Sequence, residues 1–294
     1  MKILFFTGKG GVGKSTNSAL RAVHLASGGH RVLLNSIDPA HNLHDIFKMP
    51  LSEKPKEIAP GLQVIETDLN VWVKKYLKDM EQEFKNVYRY MEAFNLHKYF
   101  KILKYSPGIE EYAVLLAMEN TLQRYQDKDY IIFDTPPTAL TLKFLALPKV
   151  SLLWLKELAS FREQILKKKD IVAKIHRKNA EVCADPVLER IEHLIQRYER
   201  ISDLLTDEKK TSVHIVLNND SLSLAESEDI FREVTNLGIK VTTVILNKFN
   251  GSGDSPKDLE KHFKGTELLT LPAGEGECTG LETLTSFPLP APPV

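Results

Sequence analysis

Residues 8–15 read GKGGVGKS, and this glycine-rich stretch decides how the rest of the chain is interpreted. The apolar run KILFF, which begins at Lys2, precedes it with the length of a strand, and the apolar spacing after Ser15 is helical. Strand, glycine-rich turn and helix form the setting that the phosphate-binding pattern GxxxxGK[ST] requires. Glycines allow successive backbone N–H groups to point at phosphate oxygens, and the helix N-terminus adds a partial positive charge. The stretch therefore predicts nucleotide binding.

The polar side chains of this loop have distinct expected roles. Lys14 would contact the β- and γ-phosphates of the nucleotide, and the Ser15 hydroxyl would bind Mg²⁺. Lys9 is a second lysine, and it could compensate phosphate charge in a partner subunit, as an arginine finger does in trans, or be a solvated loop charge. The residues expected to contact the nucleotide here are Gly8, Lys9, Gly10, Gly11, Val12, Gly13, Lys14, Ser15 and Thr16.

Composition narrows the class of protein. The 294 residues include 39 basic and 39 acidic side chains, so the net charge gives no indication of a nucleic-acid partner. Cys183 and Cys278 are too far apart in sequence to form a CxxC metal site, and two isolated thiols suit a reducing compartment. The N-terminus lacks the pattern of a signal peptide, and no uninterrupted apolar run approaches the roughly 18 residues of a membrane span. We expect a cytoplasmic protein without a membrane span.

Apolar runs along the chain indicate a parallel sheet. Runs of strand length that read as buried on both faces begin at Lys2, Val32, Tyr130, Val213, Val241 and Glu267. LQVIET at Leu62 and SLLWL at Ser151 are weaker candidates for strands. Helical patterns separate these runs, which predicts βα units and a doubly wound, mostly parallel α/β fold of the P-loop NTPase type within a single domain, residues 1–294.

Two helical stretches, about residues 70–112 and 155–210, interrupt the βα pattern. In the first, apolar residues alternate spacings of four and three, which predicts a long amphipathic helix. Its apolar seam consists of Val73, Leu77, Met80, Phe84, Val87, Met91 and Phe94. The two insertions either form a helical subdomain at the edge of the sheet or simply cover the sheet. The proline-rich tail, residues 287–294, reads as a disordered terminus or a polyproline ligand.

Several motifs together resemble one family of P-loop ATPases. GKGGVGKS is similar to the deviant Walker A motif KGGxGK[ST], in which the early lysine reaches across a dimer. Residues 36–43, SIDPAHNL, resemble the STDPAHNL of the arsenical-pump and tail-anchored-protein-targeting family, and residues 106–111, SPGIEE, resemble its PGIDE segment. Residues 134–138, DTPPT, begin a segment similar to DTAPTGHTLRFLxLP. These motifs recur in family order, so the resemblance covers almost the whole chain.

The resemblance implies roles for further residues. Asp38 would orient or deprotonate the attacking water, although an aspartate before proline is also a common turn residue. Asp134 would hold Mg²⁺, through water, as the Walker B carboxylate. Asn247 would hydrogen-bond the adenine, and Pro272 would begin a loop near the base. The implied cofactors are ATP and Mg²⁺, and the implied assembly is a homodimer.

Some motifs of the family are missing. Residues 139–141 read ALT in place of GHT, so a histidine linked to metalloid binding is absent. Arsenite requires two or three neighbouring thiolates, and the zinc site of targeting dimers uses CxxC pairs. We therefore expect neither arsenite nor zinc binding.

These observations favour a homodimeric, Mg²⁺-dependent ATPase whose nucleotide cycle binds and releases a hydrophobic protein client. One alternative is a nucleotide-sensing adaptor with negligible turnover, and Asp38 argues against it because pure binding needs no water-positioning carboxylate. Another is a partition-type ATPase acting on DNA or membranes. Balanced charge and the lack of a C-terminal basic amphipathic helix count against that type, and no nucleic-acid partner is expected. A membrane partner remains open.

Overall fold

The computed structural model describes residues 1–87, 103, 105–175, 185–251, 256–273 and 278–289. Within them, eight strands form one sheet in the order β3-β4-β2-β5-β1-β6-β7-β8. Every neighbouring pair is parallel except β3 and β4. The strands are β1 (Lys2–Thr7), β2 (Val32–Ser36), β3 (Lys56–Ala59), β4 (Leu62–Glu66), β5 (Tyr130–Asp134), β6 (Thr211–Asn218), β7 (Val241–Phe249) and β8 (Glu267–Pro272).

Nine helices connect or cover these strands in the described residues. The helices are α1 (Lys14–Ser27), α2 (Leu43–Phe47), α3 (Leu69–Val87), α4 (Ile109–Arg124), α5 (Thr138–Ile175), α6 (Pro186–Thr206), α7 (Ser221–Asn236), α8 (Pro256–Leu259) and α9 (Leu281–Ser286). The predicted α/β fold with a doubly wound, mostly parallel sheet is confirmed. Strand β1 lies at its centre, between β5 and β6, so the loop that follows β1 leaves the middle of the sheet.

Both faces of the sheet are covered by apolar packing. On one face, Phe5 stacks on Phe133 with ring centroids 5.2 Å apart, and Phe144 of α5 packs against Phe5. On the other face, Leu4 and Phe6 pack against the buried side of α1. Strands buried on both faces explain why these segments read as continuous apolar runs.

The structure corrects two details of the predicted elements. SLLWL at Ser151 is part of the long helix α5 and not a strand, and the short antiparallel strand β3 was not predicted. LQVIET forms strand β4 as expected. The amphipathic helix predicted from Val73 is present as α3, and its expected continuation through Met91 and Phe94 lies outside the described residues. Cys183 and the last five residues of the chain also lie outside them.

Helices α3, α4, α5 and α6 pack in succession, α3 on α4, α4 on α5 and α5 on α6. Several ion pairs connect them, including two formed by arginine side chains. Arg197 of α6 binds Glu119 of α4 with two guanidinium nitrogens, and Arg162 of α5 binds Asp185 at a distance of 2.7 Å. Asp185 also caps α6, because its carboxylate accepts a hydrogen bond from the backbone N–H of Leu188.

One helix of the described residues is long enough and apolar enough, by length and composition alone, to cross a membrane. It is the segment Thr138–Ile171 of α5, with a mean hydropathy of 1.4 and 28% of its most apolar stretch buried. The sequence-based expectation missed it because Lys143 and Lys149 interrupt the apolar run. Its first turns belong to the core, since Thr141, Phe144 and Leu145 are buried.

Candidate nucleotide-binding and catalytic site

The glycine-rich loop lies between β1 and α1, and two of its glycines are required by close contacts. Gly8 has a φ of +150°, and a Cβ there would stand 2.2 Å from the carbonyl oxygen of Val216. Gly13 has a φ of +97°, and a Cβ there would stand 2.4 Å from Nδ2 of Asn247. The loop can follow this path only without side chains at these two positions.

Lys14 is buried at the start of α1, and its ammonium group turns back over the loop. Its Nζ donates a hydrogen bond to the backbone carbonyl of Lys9 at 3.5 Å. Ser15 is buried beside it, Lys9 and Thr16 are half-buried, and Gly10 and Gly11 are exposed. An incoming phosphate would find the Lys14 ammonium already at the loop, close to the helix N-terminus.

Asp134 ends strand β5 and is fully buried. The register of the sheet sets it beside Phe6 of β1 and Ser36 of β2. The Ser36 hydroxyl donates to its Oδ2 at 3.2 Å, whereas Oδ1 has no hydrogen-bond partner among the residues that the structure describes. The carboxylate of Asp134 lies close to the Ser15 hydroxyl. A hydrated Mg²⁺ binds oxygen ligands of these two kinds, so the residues fit this ion.

The surroundings of Asp134 change its acidity. Burial raises its pKa to about 7, and the nearby charge of Asp38 adds to the rise. The nearby hydroxyls of Ser15 and Ser36 and the charge of Lys14 lower the pKa without offsetting the effect of burial. A carboxylate this costly to charge is stabilised by a bound cation, because the cation favours the ionised form.

Asp38 is buried two residues beyond the end of β2. Its Oδ1 accepts a hydrogen bond from the backbone N–H of Ala40 at 3.0 Å, which is the turn geometry expected of an aspartate before proline. Its backbone N–H donates to Ser36 Oγ, the hydroxyl that also binds Asp134. Asp38 therefore stabilises a turn through its side chain, and the same turn keeps its carboxylate beside Asp134.

Asn247 and Pro272 lie at the same carboxyl edge of the sheet. Nδ2 of Asn247 donates to the carbonyl of Val12 at 2.8 Å, so this side chain supports the phosphate-binding loop. The adenine contact implied by the resemblance stays a prediction. Pro272 is exposed at the end of β8, opposite Phe249.

Two residues of this site were not predicted from the sequence. Ser36 bridges Asp38 and Asp134 through its hydroxyl group. Asn218 ends β6 directly opposite Asn247, and its buried Oδ1 has no hydrogen-bond partner within the described ranges of the chain. Both residues end apolar strand runs, and polar residues at the carboxyl ends of parallel strands were the available signal.

Comparison with known proteins identifies the family. The family model described as anion-transporting ATPase matches residues 1–289. The chain belongs to the anion-transporting ATPase family. Its activity is therefore ATP hydrolysis, and the resemblance found in the sequence motifs is confirmed.

Individual members of the anion-transporting ATPase family match most of the chain. A candidate arsenical pump-driving ATPase 2 of Aquifex aeolicus is 30% identical over 302 residues, which cover 98% of each chain. An ATPase ASNA1 homolog of Entamoeba histolytica is 29% identical, over 84% of this chain and 76% of its own. A candidate arsenical pump-driving ATPase of Prosthecochloris vibrioformis is 31% identical, but the match covers only 65% of that longer protein.

Proposed function

We propose that this ATPase works as an Mg²⁺-dependent homodimer in the cytoplasm whose nucleotide cycle controls the binding and release of an apolar protein segment. In this proposal Lys14 binds the phosphates, Ser15 and Asp134 hold the metal ion, and Asp38 orients the attacking water. Lys9 acts across the dimer. Mg²⁺, when bound, neutralises charge on the β- and γ-phosphates.

The observation that carries the client-binding part is an exposed apolar surface on helix α5, formed by Leu153, Trp154, Leu158 and Phe161. Leu153, Trp154 and Phe161 are 67%, 69% and 62% exposed. Trp154, Leu158 and Phe161 are spaced at four and three residues, so they share one side of the helix. Large apolar side chains grouped in this way commonly mark a binding surface for a partner.

A cavity of about 570 Å³ adjoins this surface between helices α3, α4, α5 and α6. Trp154 belongs to both, and the wall of the cavity includes Met80 of α3 and Leu194 of α6. Methionine adapts its shape to different apolar partners, which suits a surface that accepts varied sequences. We further propose that the insertions at about residues 70–112 and 155–210 form a helical subdomain that contributes Leu158 and Phe161 to this surface.

Relatives support the ATPase part of the proposal. Family members include proteins named as arsenical pump-driving ATPases and proteins named as ATPase ASNA1 homologs. For this chain we favour an apolar protein client over arsenite, because its only cysteines are Cys183 and Cys278. Soft metalloids require several thiolates in one place.

The test compares binding of a synthetic apolar helix of about 20 residues, the length of one membrane span, to two variants. Leu153→Glu combined with Phe161→Glu places charge on the α5 apolar surface and should abolish peptide binding while ATP turnover persists. Leu222→Glu is the matched control, because Leu222 of α7 is 63% exposed outside that surface. Equal peptide binding by the double variant and the control would refute the α5 surface as the client site.

A further inference from the structure

A second cavity lies at the amino edge of the sheet, opposite the phosphate-binding loop. Its volume is about 580 Å³, and we call it the amino-edge cavity. Strand β1 contributes Lys2 and β6 contributes Ser212 and His214, while α1 contributes Arg21 and Leu25. None of residues 8–16 lines it, so it is separate from the nucleotide site.

Arg21 is the central feature of the amino-edge cavity. Its side chain is only 5% exposed, and its Nη1 has no hydrogen-bond partner in the part of the chain that the structure describes. Burial lowers the pKa of Arg21, and the attraction of Glu267 and Tyr130, which acts the other way, does not offset this effect. A buried guanidinium with an unused donor is costly, and a bound anion would remove that cost.

His214 lies beside Arg21 in the wall of the cavity. Burial, with a smaller contribution from the charge of Arg21, lowers its pKa to about 3, so the imidazole is neutral at physiological pH. The ring stacks on Phe6 at 4.8 Å between centroids, and its Nδ1 has no hydrogen-bond partner among the described side chains and backbone. Nε2 is 3.5 Å from the hydroxyl of Ser212. The Arg21 and His214 side chains both line the cavity, and each has one buried nitrogen that no atom of the described residues satisfies.

Charged side chains around the opening are mostly basic. Lys240 is paired with Glu208 at 2.7 Å, and Lys210 is paired with Asp207 at 3.2 Å. The remaining charged side chains that line the cavity are Lys2, Arg21, Lys209 and Glu267. Three positive charges face one negative charge, so the local field favours an anion.

Part of the remaining wall is apolar. Leu4 and Leu25 line the cavity together with the ring of Tyr130. The volume lies in the range of small-molecule sites, which is more than a lone inorganic ion fills. An occupant would therefore have an anionic group for Arg21 and a carbon skeleton for the apolar wall.

We propose that the amino-edge cavity binds a small organic phosphate, with the phosphate group on Arg21 and the organic part against Leu25 and Tyr130. The planar guanidinium matches phosphate oxygens with two parallel N–H donors. This site is independent of the proposed client function. Arg21 and Lys14 are nevertheless on the same helix, about 10 Å apart along its axis at the rise of an α-helix.

The test measures how inorganic phosphate and phenyl phosphate raise the thermal unfolding midpoint of the full chain, with chloride at the same ionic strength as the reference. The concentration dependence of the midpoint gives a dissociation constant for each probe. We expect phenyl phosphate to bind more tightly than inorganic phosphate, because its ring covers the apolar wall. Equal affinities of the two probes would overturn the assignment of an organic ligand.

Arg21→Met removes the charge and keeps an apolar stem in the buried space. It should raise the dissociation constant of both probes about tenfold or more, the equivalent of one charge-assisted hydrogen bond. Arg232→Met, at an exposed position on α7, is the matched control and should change neither constant. Unchanged affinity in Arg21→Met would overturn the proposal.

Two further variants separate the cavity from the nucleotide loop and guard against misfolding. Lys14→Ala weakens anion binding at the loop but leaves the amino-edge cavity unchanged. Phosphate bound in the cavity should therefore still raise the unfolding midpoint of this variant. Thr242→Tyr fills the cavity from its half-buried wall and leaves Arg21 in place, so it should abolish stabilisation even if Arg21→Met does not fold. Loss of stabilisation in Lys14→Ala with full stabilisation in Thr242→Tyr would assign the phosphate to the loop and refute the site.

Discussion

At the scale of single residues, the two lysines of the loop differ in burial and in their contacts with the loop backbone. Lys14 is buried and already bonded to the backbone of Lys9, which suits permanent contact with the phosphates of its own subunit. Lys9 is half-buried at the start of the same loop. In the proposed dimer, Lys9 contributes to hydrolysis only when the phosphates of the partner subunit come close to it.

Lys9→Ala should bind ATP almost as tightly as the wild type, because Lys14 and the backbone N–H groups of the loop are unchanged. Its hydrolysis should fall about 10³-fold or more, the size of the effect of an arginine finger. Calorimetry measures the binding, and steady-state phosphate release measures the turnover. Wild-type turnover would show that Lys9 is a loop charge only.

Asp38→Asn separates the turn role of this residue from its proposed role in catalysis. The asparagine oxygen can still accept the hydrogen bond from Ala40, so the fold and ATP affinity should be retained. Hydrolysis should nevertheless slow by roughly 10²–10⁴, the usual contribution of a general base. A variant with normal turnover and normal stability would restrict Asp38 to the turn.

How much of the site was predictable depends on whether a residue's partners are local in sequence. The loop and the strand-end aspartates were predicted because spacing and strand context suffice for them. The contacts of Ser36 with Asp134, of Asn247 with Val12 and of Asn218 opposite Asn247 were not predicted. They depend on which strands become neighbours and in what register, and single-sequence patterns do not contain that information.

At the scale of secondary-structure elements, the junction between α5 and α6 depends on Asp185. Its carboxylate both caps α6 at Leu188 and binds Arg162 of α5. Arg162 and, to a smaller extent, the backbone N–H of Leu188 lower its pKa to about 2. The ionised form is therefore favoured in the folded protein.

Asp185→Asn should make the stability of the protein less sensitive to acid. A folded-state pKa below the unfolded value of about 3.9 means that the stabilising contribution is complete above about pH 4 and is lost as the pH falls towards about 2. Asparagine keeps an acceptor for the cap but loses the ion pair. The measurement is the unfolding midpoint as a function of pH, and identical acid sensitivity in both proteins would contradict this role.

Elements were predictable where the apolar pattern was unambiguous. The segment at Ser151, wrongly predicted as a strand, belongs to helix α5. Its apolar residues face both the core and the solvent, since Leu153 and Trp154 are exposed, and the apolar pattern therefore does not show the helical period. A short continuous apolar run is compatible with a buried strand or with such a helix. Strand β3 was missed because KEIA is short and partly polar, as edge strands commonly are.

At the scale of the whole molecule, the proposed dimer can be tested by complementation. Lys9→Ala and Asp38→Asn subunits should each be inactive alone. In a mixed dimer, the nucleotide site of the Lys9→Ala subunit keeps its own Asp38 and receives Lys9 from the Asp38→Asn subunit. About half of the sites in each mixed dimer should recover turnover, since one subunit supplies its lysine in trans.

Phosphate release by mixed subunits, at a ratio that gives mostly mixed dimers, measures this recovery. A mixture of Lys9→Ala with a Lys9→Ala/Asp38→Asn double variant is the negative control, because neither subunit supplies Lys9 and no site should recover. If the recovered phosphate release per subunit stayed the same after the mixture was diluted until the dimers dissociate, complementation between subunits would be contradicted.

The exposure of Trp154 also gives the protein a built-in optical signal. The chain has two tryptophans, and the other one, Trp72, is half-buried with the ammonium of Lys75 4.4 Å from its ring centroid. In a Trp72→Phe background, the indole of Trp154 alone would emit at the long wavelengths typical of a water-exposed ring and be quenched readily by acrylamide. Any ligand that covers the α5 apolar surface would shift this emission to shorter wavelengths. Occupancy of that surface, and the rate at which ATP hydrolysis empties it, would then be readable from unlabelled protein in real time.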